Sequence, residues 1–298
     1  MSATVTERLG RVGVWMSIPA SAALDEVRGA VGAVEDLGFS AFWYGESPTT
    51  REALVQAALL LEATERITFA TGITSIYSRD ATALDAGALA LEEAFPDRLV
   101  VGLGVSHAPA VARRGHDYGK PVAMMRAYLD ALDEREREHE ALSPPRVLAA
   151  LRPRMLELAR ERAAGAHPYL VPVEHTRRAR ETLGADRVLA PEVTVLIDRN
   201  AARAREQARV FLARYLAMPN YRNNLLALGY ADGELDPNAP SDRVVADLVA
   251  LGDADAAAER VRAHREAGAD HVCVQALGDL RAAVGQLRTL APLVVLAA

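Results

Sequence analysis

The densest grouping of chemically capable residues is Gly102-Leu103-Gly104-Val105-Ser106-His107. Two glycines let a flat ligand or another backbone approach the end of an apolar run closely, and a hydroxyl and an imidazole follow directly. Imidazole titrates near neutral pH, so His107 is a candidate proton donor or acceptor, set against the commoner use of such a residue as a hydrogen-bonded structural histidine. The segment has half of a dinucleotide fingerprint, but the third glycine is missing and it lies in the fourth unit of the chain, which makes it a weak nucleotide signal. Arg152-Pro153-Arg154 places two cations at the predicted start of a helix, where the dipole favours anions. A bound phosphate explains that arrangement, and so does a pair of solvated arginines bridging to acids elsewhere. Trp15, Trp43 and Tyr44 end the first two apolar runs, where their rings either wall a planar ligand or fill core. No His-x-x-x-His, cysteine pair or carboxylate cluster has metal-ligand spacing, and there is no Gly-x-Ser-x-Gly elbow, so the pattern indicates neither a metal site nor a serine hydrolase.

These residues need strand ends to hold them. The stretch 66–107 reads as a parallel strand, helix, strand unit: two short runs rich in Val, Ile, Thr and Phe are separated by one helix-length segment, and each ends in Gly with a polar neighbour. The same alternation covers the chain. Strands are expected at 12–17, 40–45, 146–150, 167–171, 192–197 and 271–275, with helices at 23–37, 51–64, 153–164, 176–183, 201–218 and 280–290 and another starting at Pro121. In the first helix the apolar positions Leu24, Val27, Val31, Val34 and Leu37 fall on one face. Eight strands alternating with helices predict a single α/β domain over 1–298, a closed (β/α)8 TIM barrel, with an open doubly wound sheet as the alternative. A polar insertion near 219–242 breaks the rhythm. Chemistry in such folds gathers at the carboxyl ends of the strands, where Glu46, Ser47, His107 and Arg152 are placed.

The chain has 298 residues, 50% of them hydrophobic, and a net charge of -6 from 34 basic and 40 acidic side chains. Interspersed charge with an acidic balance offers no basic face to nucleic acid or an anionic membrane, so a small-molecule partner is expected. Cys273 is the only cysteine. A disulfide framework is therefore ruled out, and a reducing compartment fits. The N-terminal residues lack the apolar core of a signal peptide, and no apolar run approaches the roughly 20 residues that span a bilayer. A cytoplasmic protein is expected.

Taken together, residues 37–46, 66–74, 89–107 with the Pro96-Asp97-Arg98 turn, 147–150 and 269–275 resemble the luciferase-like monooxygenase superfamily, and within it the branch that uses the deazaflavin coenzyme F-420. The resemblance implies a ring lying across the carboxyl ends of the strands, on a non-proline cis peptide that corresponds here to Gly72–Ile73. It also implies that Thr74, Gly104 and His107 line the ring, beside Trp43 as a cofactor-binding candidate from its strand-end position, and that the turn Ala150-Leu151-Arg152 holds the cofactor phosphate through backbone amides. Relatives often carry Gly-Gly at 151 and 152, so this chain's departure makes the Arg152 side chain a candidate phosphate ligand. Deazaflavin-dependent glucose-6-phosphate dehydrogenases place a histidine and a glutamate where Ser47 and His107 stand here, and a phosphate-binding lysine near Glu174, which would repel that group. The expected activity is hydride transfer between coenzyme F-420 and a small organic substrate, with His107 as the proton donor or acceptor and Glu46 and Ser47 as second choices. The alternatives are an FMN-dependent monooxygenase on the same barrel and a non-catalytic barrel that binds a deazaflavin or another metabolite. Members commonly form homodimers.

Overall fold

The structure is a computed structural model that describes residues 3–138 and 143–295. Its strands are β1 (Val12–Trp15), β2 (Ala41–Tyr44), β3 (Thr68–Thr71), β4 (Thr74–Ser75), β5 (Leu99–Gly104), β6 (Arg146–Leu148), β7 (Gly165–Ala166), β8 (Val188–Leu189), β9 (Glu192–Ile197), β10 (Val249–Gly252) and β11 (Val272–Ala276). They pair in parallel in the order β10-β9-β11-β1-β2-β3-β5-β6-β7-β8, with β4 continuing beside β5. The expected α/β barrel is what the chain forms, with helices packed outside the curled sheet. The barrel's seventh strand is broken at Ala190 and Pro191, because proline cannot donate to a ladder. The two pieces bind opposite neighbours and so join the sheet's ends: Ala190 N donates to Ala166 O at 2.9 Å, and Cys273 N donates to Pro191 O at 2.9 Å.

One expected strand needs correction. The sixth strand lies at Gly165–Ala166 and not at 167–171, because Pro168 has no N–H to continue the ladder and Leu170 turns into the left-handed region (φ 55°). On helix Val173–Leu183, Arg177 and Arg178 pair with Glu174 at the surface, whereas Arg180 is anchored on Asp270 and the carbonyls of Gly184, Arg187 and Gly268. The pattern also left β10 and helix Ala254–Glu266 unassigned. Within 219–242 the backbone forms helix Pro219–Ala227 and a 3-10 turn, Asp232–Leu235.

Helix Val5–Leu9 sits at the amino ends of the strands. Arg8 there is buried, pairs with Glu92 and Asp97 and donates to Leu99 O, while Thr68 Oγ1 donates to Arg8 O. Inside the barrel Trp43 Nε1 donates to His271 Nε2 at 3.0 Å, so His271 must carry its proton on Nδ1, which donates to Gly10 O. His167 stacks on Trp43 with centroids 4.4 Å apart. Burial holds both imidazoles neutral, each lowered to about 4.

The ladder between β3 and β5 slips. Phe69 pairs with Leu99, but Thr74 pairs with Leu103, so the strand carries one extra residue at Thr71–Ile73. That is the arrangement of a bulge. Across it the Thr71 side chain takes the place of the backbone: its hydroxyl donates to Gly102 O and accepts from Gly102 N, both at 2.8 Å. The peptide Gly72–Ile73 is cis, at the bond the resemblance indicated.

Gly102 has no room for a side chain, since a Cβ would lie 1.8 Å from Thr71 O. Gly102→Ala is therefore expected to lower stability by about 3 kcal/mol or more, read from denaturant unfolding; a loss under about 1 kcal/mol would show that the bulge yields easily. Glu192 supplies a second test. It is fully buried and accepts from Thr194 Oγ1 and Leu170 N; burial, opposed by those bonds, raises its carboxyl to about 7. The folded state thus keeps a proton that the unfolded chain releases. This stabilisation is complete below the ordinary carboxyl value of about 4.3 and is lost as pH rises through 7. Glu192→Gln should flatten the stability profile over that window by about 3 kcal/mol, and an unchanged slope would show that Glu192 is not its source.

Candidate active site at the barrel mouth

The bulge at Gly72–Ile73 projects into the mouth because both of its carbonyls are tied back. Trp15 Nε1 donates to Gly72 O at 3.3 Å, and Glu46 N donates to Ile73 O at 2.9 Å. Gly72 and Ile73 are half-buried and form a ridge. Gly104 lies under it: a Cβ at that position would come within 2.5 Å of the Ile73 side chain, so only glycine lets the ridge settle. The glycine signal read from sequence thus has a close approach behind it, but of Ile73 and not only of a ligand.

Glu46, Thr74 and Ser75 lock the ridge from behind. The Glu46 carboxylate accepts from Thr74 Oγ1 and Ser75 N, each at 2.9 Å, and pairs with Arg79. Burial raises the Glu46 carboxyl, but the Arg79 charge and these donors outweigh it, and the net shift is downward. With both oxygens engaged and the charge held, Glu46 is placed to position backbone. Ser47 lies in a turn in which its hydroxyl accepts from Thr49 N and its amide donates to Thr50 Oγ1. Trp43 is 0% exposed in the barrel interior, beneath the mouth and without a free face.

His107 stands at the end of β5 just past Ser106, whose backbone is left-handed (φ 56°) and whose carbonyl accepts from Tyr118 Oη at 3.2 Å. That bond folds the connection 108–120 back over the strand end. The imidazole is half-buried. Burial lowers its pKa, the Asn220 amide beside it opposes, and the Arg214 charge lowers it further, with a net downward shift. His107 is therefore a neutral imidazole at neutral pH, suited to accepting a proton.

After β6, Ala150 is buried, Leu151 is half-buried and Arg152 is exposed. His175 Nε2 donates to Leu151 O at 2.7 Å and fixes this turn. Arg152 and Arg154, at the first turn of helix Pro153–Arg162, make no ion pair among the described residues, which removes the bridging alternative for them. The cations face solvent, as a subsite for an anion requires.

Four groups at the mouth went unrecognised in the sequence. Tyr169 follows β7, Gln275 lies on β11, Tyr215 ends helix Ala201–Leu216, and Tyr221 belongs to helix Pro219–Ala227. Tyr169 Oη donates to Gln275 Oε1 at 2.7 Å, Arg214 Nη2 donates to Tyr215 Oη at 2.6 Å, and the two hydroxyls are 2.8 Å apart. Gln275 Oε1 can only accept and Arg214 can only donate, so the shared proton must run from Tyr215 to Tyr169. The rings pack as Trp15–Tyr169 at 5.1 Å and Tyr215–Tyr221 at 5.1 Å, and Tyr221 reaches His107 at 5.8 Å. No periodicity marks these residues, since they come from four separate elements; the sequence shows only that 219–242 departs from the barrel rhythm. A groove of ≈ 1480 Å³ opens beyond this cluster, lined among others by Trp15, Phe211, Arg214 and Gln275. Of the residues singled out in the sequence, Trp15 lines it, whereas Glu46, Ser47, His107 and Arg152 do not.

A family model described as luciferase-like monooxygenase matches residues 9–271. Among solved structures, an F420-dependent secondary alcohol dehydrogenase in complex with an F420-acetone adduct is 14% identical, with 95% of this chain and 98% of that chain covered and a TM-score of 0.73. The coenzyme F420-dependent tetrahydromethanopterin reductase from Methanopyrus kandleri is 15% identical, with 95% and 99% covered and a TM-score of 0.75. The oxygenating constituent of 3,6-diketocamphane monooxygenase from Pseudomonas putida, in complex with FMN, is 18% identical, with 95% and 98% covered and a TM-score of 0.71. These likenesses support the fold, and the family match extends over most of the chain: this protein belongs to the luciferase-like monooxygenase family, and it is an enzyme.

Proposed function

We propose that the chain catalyses hydride transfer between the deazaflavin coenzyme F-420 and a small organic alcohol or carbonyl compound. The observation that carries this reading is the pairing of a ridge able to support a planar ring with a neutral imidazole at the neighbouring strand end. Oxidising an alcohol removes a hydride from carbon and a proton from oxygen. His107 accepts that proton, and in the reverse direction its protonated form returns it to the carbonyl oxygen. That two similar structures are described as F420-dependent supports the choice of cofactor.

The residues present fit such a group. Gly72 and Ile73 expose backbone to the mouth with glycine beneath, as contact with a flat ring needs, and Arg152 and Arg154 have no acidic partner among the described residues to compete with a phosphate. When bound, the deazaflavin supplies or takes up the hydride at a ring carbon. Ile73 and Gly104 would set the height of the ring, the turn Ala150-Leu151-Arg152 would hold its anionic tail, and the cluster of Trp15, Tyr169 and Tyr221 would keep water from the reacting carbon.

Titrating the protein with coenzyme F-420 and, separately, with FMN, followed by quenching of Trp15, should show micromolar or tighter binding of the deazaflavin and weaker binding of FMN. Preference for FMN would put a monooxygenase reading first. His107→Ala should lower kcat for alcohol oxidation by about 10²-fold or more, with cofactor affinity little changed. Because the His107 pKa is lowered, kcat/KM of the parent enzyme should rise with pH through a midpoint below imidazole's ordinary value of about 6.5, and the variant should lack that limb. Turnover of His107→Ala within a few-fold of the parent would remove the role.

A further inference from the structure

Helix Pro219–Ala227 interrupts the strand-helix alternation and carries Tyr221 into the mouth. Tyr221 is 8% exposed, yet its hydroxyl makes no hydrogen bond with any described residue. Its two neighbours differ: the hydroxyls of Tyr169 and Tyr215 are spent on each other, on Gln275 and on Arg214. The Tyr221 oxygen is not sealed from solvent, so the phenol is a donor and acceptor that a ligand entering the mouth can reach. The group that would use it lies outside the chain. Tyr221 also faces His107, the residue placed to exchange a proton with a substrate oxygen.

Arg214 brings a cation to this end of the mouth. Arg214 stacks over the Tyr215 ring at 4.7 Å and spends one N–H on that hydroxyl, and it makes no ion pair among the described residues. Its charge acts on His107, Tyr169, Tyr215 and Tyr221. The buried carboxyl nearest the cluster, Glu192, is held by its own hydrogen bonds to Thr194 and Leu170. Unused guanidinium donors beside an unused phenol match a ligand with a carboxylate and an adjacent oxygen.

We propose that Tyr221 and Arg214 form the substrate subsite, and that it takes a small hydroxy or oxo carboxylate. The phenol donates to the substrate's hydroxyl or carbonyl oxygen beside His107, and the guanidinium takes the carboxylate. In oxidation the C–H hydride leaves to the cofactor, the hydroxyl proton passes to His107 and the oxygen becomes the carbonyl that Tyr221 holds. This deepens the hydride-transfer reading and rests on it for the reaction, but the subsite itself is measurable without cofactor.

The test is calorimetric titration of the protein alone with mandelate and with 1-phenylethanol, which share the ring and the carbinol and differ in the carboxylate. Mandelate should bind at least about tenfold more tightly than the alcohol. Arg214→Gln should remove that advantage, and Tyr221→Phe should weaken both ligands by about five- to tenfold, each variant melting within a few degrees of the parent. With coenzyme F-420 added, Tyr221→Phe should raise KM more than it lowers kcat. Equal affinity for the two ligands, no saturable mandelate binding, or no loss in Tyr221→Phe would each overturn the subsite. Failure of the deazaflavin titration with mandelate binding intact would overturn the hydride-transfer reading alone.

Discussion

The mouth of this barrel depends on one side chain taking over from backbone. Where β3 holds an extra residue, the parallel ladder to β5 cannot continue through main-chain groups alone, and the Thr71 hydroxyl spans the gap by donating to Gly102 O and accepting from Gly102 N. A buried N–H and C=O left open there would each cost about 1–3 kcal/mol. With Thr71 in place the chain can turn Gly72 and Ile73 outward. Trp15 and the Glu46 amide then capture their carbonyls. Glycine at 102 and at 104 follows from the same constraint, since one position touches Thr71 O and the other the Ile73 side chain.

Behind the ridge lies a polar interior in which each proton has a determined place. His271 accepts from Trp43 and must donate to Gly10 O; His167, bonded to Ala190 O, must carry its proton on Nδ1. Held neutral by burial, these groups let a barrel of modest strand length bury imidazoles without buried charge. At the mouth the same logic reaches the surface, where the Arg214, Tyr215, Tyr169 and Gln275 series has a single direction of donation. His107 is the exception. It is half-buried, near one cation and one amide, with no carboxylate among the described residues to hold its charge, and that environment suits a group that gains and loses a proton.

Much of the architecture was legible because parallel strands buried on both faces write themselves as short apolar runs, and helices with one buried stripe write themselves at 3-and-4 spacing. Val27, Val31 and Val34 are all buried as that spacing required. The run 167–171 misled because it is apolar for a different reason: Tyr169 and Leu170 pack in the mouth after the strand has ended. Glu46 illustrates the harder case. A carboxylate at a strand end reads as a candidate acid or base, and nothing local announces that Arg79, Thr74 and Ser75 engage it.

Local pattern sufficed for the fold class, for the family resemblance and for the strand end that carries His107, because each rests on residues adjacent in the chain. The ring of Tyr221 against His107, the loss of Trp43 to the interior and the unshared charge of Arg214 rest on contacts between residues many positions apart. Such contacts are set by how strands curl and where an inserted helix comes to lie, and a one-dimensional periodicity carries no term for either.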